Sequence, residues 1–152
     1  MLEERRSKET VERLAGDDSS VMPLLGLAFW RMKHAFEREV GLGAGAWFLL
    51  SMLINDEDGI SQGEVSYRFE VDPSRITRLA QRLEKEGLLR RKRDPEDNRV
   101  VRMHATEEGR RLVESRQERR EWFEEGIRRE LGQEELAEFR RVLGVVAQRM
   151  KD

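Results

Sequence analysis

Residues 72–87, DPSRITRLAQRLEKEG, predict an amphipathic helix whose two faces differ in chemistry. Asp72 followed by Pro73 is typical of an N-cap and a first helical residue. The carboxylate can accept hydrogen bonds from the unpaired amides of the first turn, and proline has no backbone N–H that needs a partner there. Gly87 stands where glycine commonly ends a helix. Helical spacing separates two sets of side chains, apolar on one face (Ile76, Leu79, Ala80 and Leu83) and basic on another (Arg75, Arg78 and Arg82).

A basic hairpin is predicted directly after this helix. Residues 88–93 and 99–104 are the two strands, and the turn-forming run DPEDN at 94–98 joins them. The net charge of the chain is −2, but residues 75–102 contain ten Lys and Arg against five Asp and Glu, whereas the remainder contains 19 against 26. Positive charge is therefore concentrated on the helix and the hairpin, which is typical of a nucleic-acid-binding surface.

A short helix is predicted before the turn at residues 70–71. Ser61 and Glu64 have the spacing of a capping box, and this helix extends to about Phe69. Helix, short turn and second helix form a helix-turn-helix, whose second helix enters the major groove of DNA. Together with the hairpin, these segments predict a winged helix-turn-helix: a mainly α fold with a small β-hairpin wing and a helical dimerisation region.

The flanking segments predict four more helices and a charged N-terminal arm. The arm, residues 1–18, is expected to be frayed, or helical only when docked on a partner. Apolar spacing places the helices at about 21–40, 44–55, from 106 onward and 133–151. We expect a single domain at 19–152, divided into a DNA-binding lobe at 44–105 and dimerisation helices at 19–43 and 106–152.

The composition predicts a chain that needs a second copy to bury its apolar stripes. Of its 152 residues, 38% are hydrophobic and 39% charged, a balance typical of amphipathic helices with charged outer faces. A symmetric dimer would cover the stripes of both copies at once. The candidate dimerisation residues, on the first and last two helices of this domain, are Leu24, Leu25, Ala28, Trp122, Phe123, Leu136, Phe139, Leu143, Val146 and Met150.

Several classes of function are excluded by what the sequence lacks. With no cysteine, disulfides and thiol-based sensing are excluded. His34 and His104 are the only histidines, without clustered co-ligands, so we expect no metal and no cofactor. No nucleophile motif such as G-x-S-x-G occurs, which argues against an enzyme. The charged N-terminus is no signal peptide and no apolar run could span a bilayer, so we expect a cytoplasmic protein without a membrane partner.

These segments resemble the winged helix-turn-helix regulators of the MarR family. The resemblance rests on DPSRITRLAQRLEKEGLLRR at 72–91, on DPEDNR at 94–99 and on ATEEGRRL at 105–112, which is similar to the family's LTekGr segment. Asn98 stands where the family commonly has a basic residue, and Ala105 where it usually has leucine. The resemblance implies a homodimeric regulator that binds a pseudo-palindromic double-stranded DNA site, a repressor of nearby genes that a small-molecule ligand relieves.

The basic face of the helix supplies the candidate contacts to bases. Arg75 and Arg78 are assigned to base edges, because guanine O6 and N7 are natural bidentate partners of arginine. A merely solvated helix face is the alternative. The other candidate DNA contacts from the two helices and the first strand, to phosphates or to bases, are Ser61, Gln62, Ser74, Thr77, Arg82, Arg91 and Arg93. For Ser61 and Gln62, a plain helix cap is the alternative.

Two residues of the predicted turn are assigned a role from the resemblance. In the family, an acid such as Asp97 holds a wing arginine such as Arg99 as it enters the minor groove, where narrow A·T tracts favour it. The alternative is a loose surface ion pair, which contributes about 0–1 kcal/mol.

The resemblance also implies a small aromatic or acidic ligand between the dimerisation and DNA-binding regions. Trp30, His34, Trp47 and Phe48 lie on the two helices where such a crevice would form. Aromatic side chains at helical spacing more often belong to a core than to a ligand site. A winged-helix module that binds an acidic protein partner through the same basic face is the alternative function.

Overall fold

The computed structural model describes residues 2–17 and 19–149, which form helices around one small sheet. In chain order the elements are α1 Leu2–Ala15, α2 Met22–Val40, α3 Ala44–Ile54, β1 Ile60–Ser61, α4 Gln62–Phe69, α5 Pro73–Lys85, β2 Leu89–Arg93, β3 Val101–Ala105, α6 Glu107–Glu130 and α7 Gln133–Arg149. The predicted mainly α fold with a β-hairpin wing is confirmed, and each predicted helix is present with ends shifted by at most a few residues.

Two elements differ from the sequence-based expectation. The N-terminal arm is helical as α1, and it contacts α2 through a hydrogen bond of 2.8 Å from the Arg31 guanidinium to Ser7 Oγ. A third strand, β1, pairs antiparallel with β3, giving the sheet order β1-β3-β2. A strand of two residues has too few positions to show an alternating pattern, so the sequence could not reveal it.

Helix α3 runs through the centre of the molecule and contributes more buried side chains than any other described helix. The apolar faces of α4 and α5 and the strands pack around it, because each has one apolar face to cover. Glycine is required where α6 crosses the start of the wing, since a Cβ at Gly109 would lie 2.0 Å from the Leu88 carbonyl oxygen. The buried apolar side chains are Val40, Ala46, Trp47, Leu49, Leu50, Leu53, Ile60, Val65, Ile76, Ala80, Leu83, Leu88, Leu89, Met103 and Val113.

Helices α2, α6 and α7 leave their apolar faces largely uncovered. Helix α7 has no buried residue among those described. Between the three helices lies a groove of about 1180 Å³ with apolar walls that include Ala28, Phe123 and Phe139. Of the helices within residues 2–17 and 19–149, none combines the length and apolarity that crossing a membrane would require.

Candidate nucleic-acid interface

The N-terminus of α5 is fixed by its cap. The Asp72 carboxylate accepts a hydrogen bond of 2.9 Å from the Ser74 amide and another from the Ser74 hydroxyl. These bonds hold the pKa of Asp72 below its ordinary value, and the bond from the hydroxyl has the larger effect. The predicted cap is therefore present, and it engages Ser74, a candidate DNA contact, within the helix.

The basic face of α5 points to solvent because the opposite face is buried. Ile76, Ala80 and Leu83 pack into the core, whereas Arg75 and Arg78 are exposed. Neither arginine forms an ion pair with a described carboxylate within 4.0 Å, and Arg78 makes only a hydrogen bond of 3.5 Å to Ser74 Oγ. Two guanidinium groups are thus available to a ligand.

The two remaining candidates on α5 are partly engaged within the helix. Arg82 lies 3.8 Å from a carboxylate oxygen of Glu86, and both side chains are about half exposed. The Thr77 hydroxyl donates a hydrogen bond of 2.9 Å to the Pro73 carbonyl, one helical turn earlier. Arg82 can exchange a weak surface partner for phosphate, whereas Thr77 offers mainly its methyl group and free lone pairs.

Arg91, predicted to contact DNA, is instead bound to α5. Its backbone amide and Nε donate to the two carboxylate oxygens of Glu84 at 3.0 and 2.8 Å, and Nη2 lies 2.6 Å from Oε2. Arg91 lowers the pKa of Glu84 through these bonds. The side chain joins the wing to the helix, and a DNA contact by Arg91 stays a prediction.

The wing loop, residues 94–100, does not contain the side-chain pair that the resemblance implied. Among the described contacts, the Asp97 carboxylate accepts the backbone amide of Arg99 at 2.9 Å rather than its guanidinium. Arg93, the last residue of β2, donates a hydrogen bond of 3.3 Å to the Asn98 carbonyl, which helps to close the loop. The Arg99 side chain is exposed in this loop, and the role of Asp97 in holding it at the minor groove stays a prediction.

Asp94 is the acid that organises this loop, although the sequence indicated only a turn former. The residue is buried, with 7% of its surface exposed. Its carboxylate accepts hydrogen bonds of 2.8 and 3.2 Å from the amides of Glu96 and Asp97. It also accepts the Arg102 Nε–H. The Arg102 bond is the first cause of a lowered pKa for Asp94, and it raises the pKa of Arg102 in turn.

At the N-terminus of α4, the observed contacts are those of a cap. Ser61 Oγ accepts the Glu64 amide at 3.0 Å, as the capping-box spacing predicted. Gln62 is half-buried, and its Nε2 has no hydrogen-bond partner among the described residues. Neither observation tests a phosphate contact by these residues, which stays a prediction.

The four candidate ligand residues do not lie together. Trp47 is 5% exposed and belongs to the core, where it packs edge-on against Phe36. Phe48 is 57% exposed and lines a cavity of about 490 Å³ between α2, α3 and α6. Trp30 and His34 stack on each other on α2, with ring centroids 5.5 Å apart, and do not line that cavity.

The cavity is lined mainly by side chains that the sequence reasoning did not select. Helical spacing could place apolar residues on faces, but it could not show which faces of three different helices meet. The lining residues are Phe29, Met32, Lys33, Phe36, Glu37, Ala44, Gly45, Phe48, Phe123 and Glu124.

Comparisons with known proteins agree with this arrangement. The model of the MarR family matches residues 44–101. An HTH-type transcriptional regulator of Bacillus subtilis, YdgJ, itself uncharacterized, is 33% identical over 117 residues, which are 77% of this chain and 68% of YdgJ. The HTH-type transcriptional repressor MdtR of the same organism is 32% identical over 51% of this chain and 49% of its own. The PcaV transcriptional regulator of Streptomyces coelicolor, solved with its natural ligand, is 26% identical with a TM-score of 0.75, covering 89% of this chain and 94% of PcaV.

Proposed function

Since this chain belongs to the MarR family, we propose that it is a sequence-specific, double-stranded-DNA-binding transcription regulator, and not an enzyme. In this proposal it acts as a homodimer in the cytoplasm, represses nearby genes and is relieved by a small-molecule ligand. Residues 44–105 serve as the DNA-binding lobe, and residues 19–43 and 106–152 as the dimerisation region. MdtR, a relative that is named a repressor, supports the direction of regulation.

The observation that carries the proposal is the solvent-facing pair Arg75 and Arg78 beside a basic wing. Both lie on a helix whose start is fixed by Asp72 and whose opposite face is buried, so their direction is set before DNA arrives. Base edges in the major groove then specify the sequence. The exposed Arg99 extends from the wing toward the adjacent minor groove, and Arg82 and Arg93 meet phosphate.

A dimer of this chain is supported by the uncovered groove between α2, α6 and α7. Trp122 is 60% exposed, and Leu25, Phe139, Leu143 and Val146 are exposed as well. Ala28 and Phe123 line the groove, while Leu24 and Leu136 are half-buried. Met150, the remaining dimerisation candidate, lies outside the described residues. A second copy would cover these side chains, and it would place two recognition helices about 34–36 Å apart along a pseudo-palindromic site.

The ligand in this proposal occupies the cavity of about 490 Å³ between α2, α3 and α6. Its walls are mostly aromatic and aliphatic, and its charged groups are Lys33, Glu37 and Glu124, with Lys33 Nζ 3.9 Å from a Glu37 carboxylate oxygen. An apolar pocket with few polar groups fits a small aromatic ligand. PcaV, which was solved with its natural ligand, supports a ligand-binding role for this architecture.

The test is selection of bound duplexes from fragmented genomic DNA by the purified protein at roughly physiological salt, where nonspecific binding is suppressed. We expect an inverted repeat whose half-sites lie about 10 base pairs apart. If no sequence is enriched, with or without added aromatic acids, the regulator proposal fails. Binding of the purified protein to an acidic protein partner, measured separately, would then favour an interaction module.

A further inference from the structure

Arg102 connects the wing loop to the start of the helix-turn-helix. Its Nε donates to Asp94 at the base of the loop, and its Nη1 donates at 3.0 Å to the carbonyl of Gly59, 43 residues away in sequence. In the sheet, Arg102 is paired with Ser61, the N-cap of α4. One guanidinium therefore contacts the wing and the segment that leads into the helix-turn-helix. We name Asp94, Arg102 and Gly59 the wing clasp.

The third member of the wing clasp is a glycine that both its backbone conformation and its neighbour require. Gly59 has a φ of +74°, which favours glycine. A Cβ at this position would lie 2.4 Å from Cε1 of His104, so the imidazole packs directly on the glycine. A larger side chain is therefore not accommodated here, and the backbone keeps the conformation in which the Gly59 oxygen accepts from Arg102.

The wing loop does not need Arg102 for its own shape. The Asp94 amide donates to the Val100 carbonyl and the Val100 amide to the Asp97 carbonyl, both at 2.9 Å. The Asp94 carboxylate also holds the amides of Glu96 and Asp97. These bonds close the loop internally. What Arg102 adds is a side-chain link between the closed loop and Gly59, beside the β1–β3 pairing that joins the wing strand to the start of α4.

We propose that Arg102 and Asp94 are positioning residues for DNA binding, which hold the wing at the angle that brings Arg99 to the minor groove. The proposal rests on the proposed function, and it adds a role that the Asp97 carboxylate does not perform here. An arginine suits this role because its planar group donates in two directions at once, whereas a lysine ammonium is a single point charge.

The experiment compares Arg102→Met with Arg90→Met on duplexes that carry the selected site between A·T-rich or G·C-rich flanks. Arg90 is exposed on β2, so its loss removes the same charge without touching the wing clasp. For Arg102→Met we expect about a tenfold loss of affinity on A·T-flanked duplexes, the size of one charged hydrogen bond. On G·C-flanked duplexes, Arg102→Met should lose only as much affinity as Arg90→Met does. Arg102→Lys should lose the flank preference too, since it keeps the charge but not the two-way geometry.

A double-mutant cycle with Arg99→Ala separates positioning from a direct contact. Both substitutions are made in the Arg99→Ala background. If Arg102 acts through Arg99, Arg102→Met should then reduce DNA affinity by no more than Arg90→Met does. Asp94→Asn should repeat the result, and hydrogen exchange at the Glu96 and Asp97 amides of Arg102→Met should stay slow, because the loop is closed without Arg102. Additive losses, or equal losses for Arg102→Met and Arg90→Met, would overturn the wing clasp alone. A wild-type protein that binds no duplex would instead overturn the proposed function.

Discussion

Glu84 on the recognition helix and Arg91 on the first wing strand bind each other through both carboxylate oxygens, with N–H···O distances of 3.0 and 2.8 Å. The side chains are only 35% and 28% exposed. This contact fixes helix α5 against the hairpin, in the same lobe where the wing clasp fixes the hairpin against α4. The helix and the hairpin are therefore each held in the lobe by a partly buried ion pair.

Replacing Glu84 by Gln should destabilise the lobe at neutral pH and not in acid. The Arg91 guanidinium keeps the pKa of Glu84 below its ordinary value of 4.5. The stabilisation is therefore complete above that value and is lost as the pH falls through the lower folded-state pKa. Urea unfolding of wild type and Glu84→Gln should differ by about 1 kcal/mol at pH 7, the size of a partly exposed charged hydrogen bond. The difference should shrink in acid below the ordinary value. Glu86→Gln, whose ion pair is longer and more exposed, is the control; a gap that persists in acid would contradict the expectation.

Arg78→Ala and Arg99→Ala should weaken DNA binding in different ways. Loss of a bidentate contact to guanine reduces discrimination by about 1–3 kcal/mol, so Arg78→Ala should tolerate base changes that the wild type rejects. Arg99→Ala should keep the base preference and lose affinity chiefly for A·T-flanked sites. Binding to a set of single-base and flank variants measures both effects. Equal losses of affinity on every duplex for the two variants would contradict the assignment of base recognition to Arg78 and of flank recognition to Arg99.

Glu70→Gly should stabilise the protein relative to Glu70→Ala. Glu70 ends α4 with a φ of +50°, the only positive φ of a non-glycine residue in the part of the chain described. A Cβ in this left-handed conformation costs about 1–2 kcal/mol, partly offset by the greater freedom of glycine in the unfolded chain. Both variants remove the contacts of the glutamate side chain, so their difference isolates the backbone term. We expect the glycine variant to be more stable by about 0.5–1 kcal/mol in urea unfolding. A more stable alanine variant would show that the conformation is not strained.

Phe139→Glu should convert the proposed dimer into monomers. Phe139 is exposed on α7 and lines the apolar groove, where a carboxylate would be buried without a partner if a second copy covered it. Ala137→Glu adds the same charge two residues earlier, at an exposed position outside the groove lining. Sedimentation equilibrium should show dissociation for the first variant and a dimer for the second. A wild-type monomer, or a dimer that survives Phe139→Glu, would contradict the assignment of this face.

The elements that could be predicted from the sequence are those with local signals. Asp72 and Ser61 each precede a helix and accept an amide of its first turn, as their spacing predicted. Alternation of apolar and basic residues likewise placed Arg75 and Arg78 on the outer face of α5. These signals need no knowledge of distant partners.

Long-range relationships could not be predicted in this way. Asp94 and Asp97 look alike in a turn sequence, and only the register of β3, which brings Arg102 beside Asp94, distinguishes them. Helix α3 is apolar nearly all round, so the sequence could not show that Trp47 is in the core while Phe48 faces a cavity. The contact of Arg91 with Glu84 could not be predicted for the same reason, since the two residues are on different elements.

The glycine at position 109 makes the long helix α6 a lever. Its first turn rests on the Leu88 carbonyl, and its cap residue Thr106 donates to the carbonyls of Gly87 and Leu88 at 2.6 and 3.1 Å. The 24 residues of α6 span about 36 Å, from this pivot at the end of the recognition helix to the uncovered apolar groove. A small tilt at the far end would therefore act directly on the Gly87–Leu88 segment that follows the recognition helix.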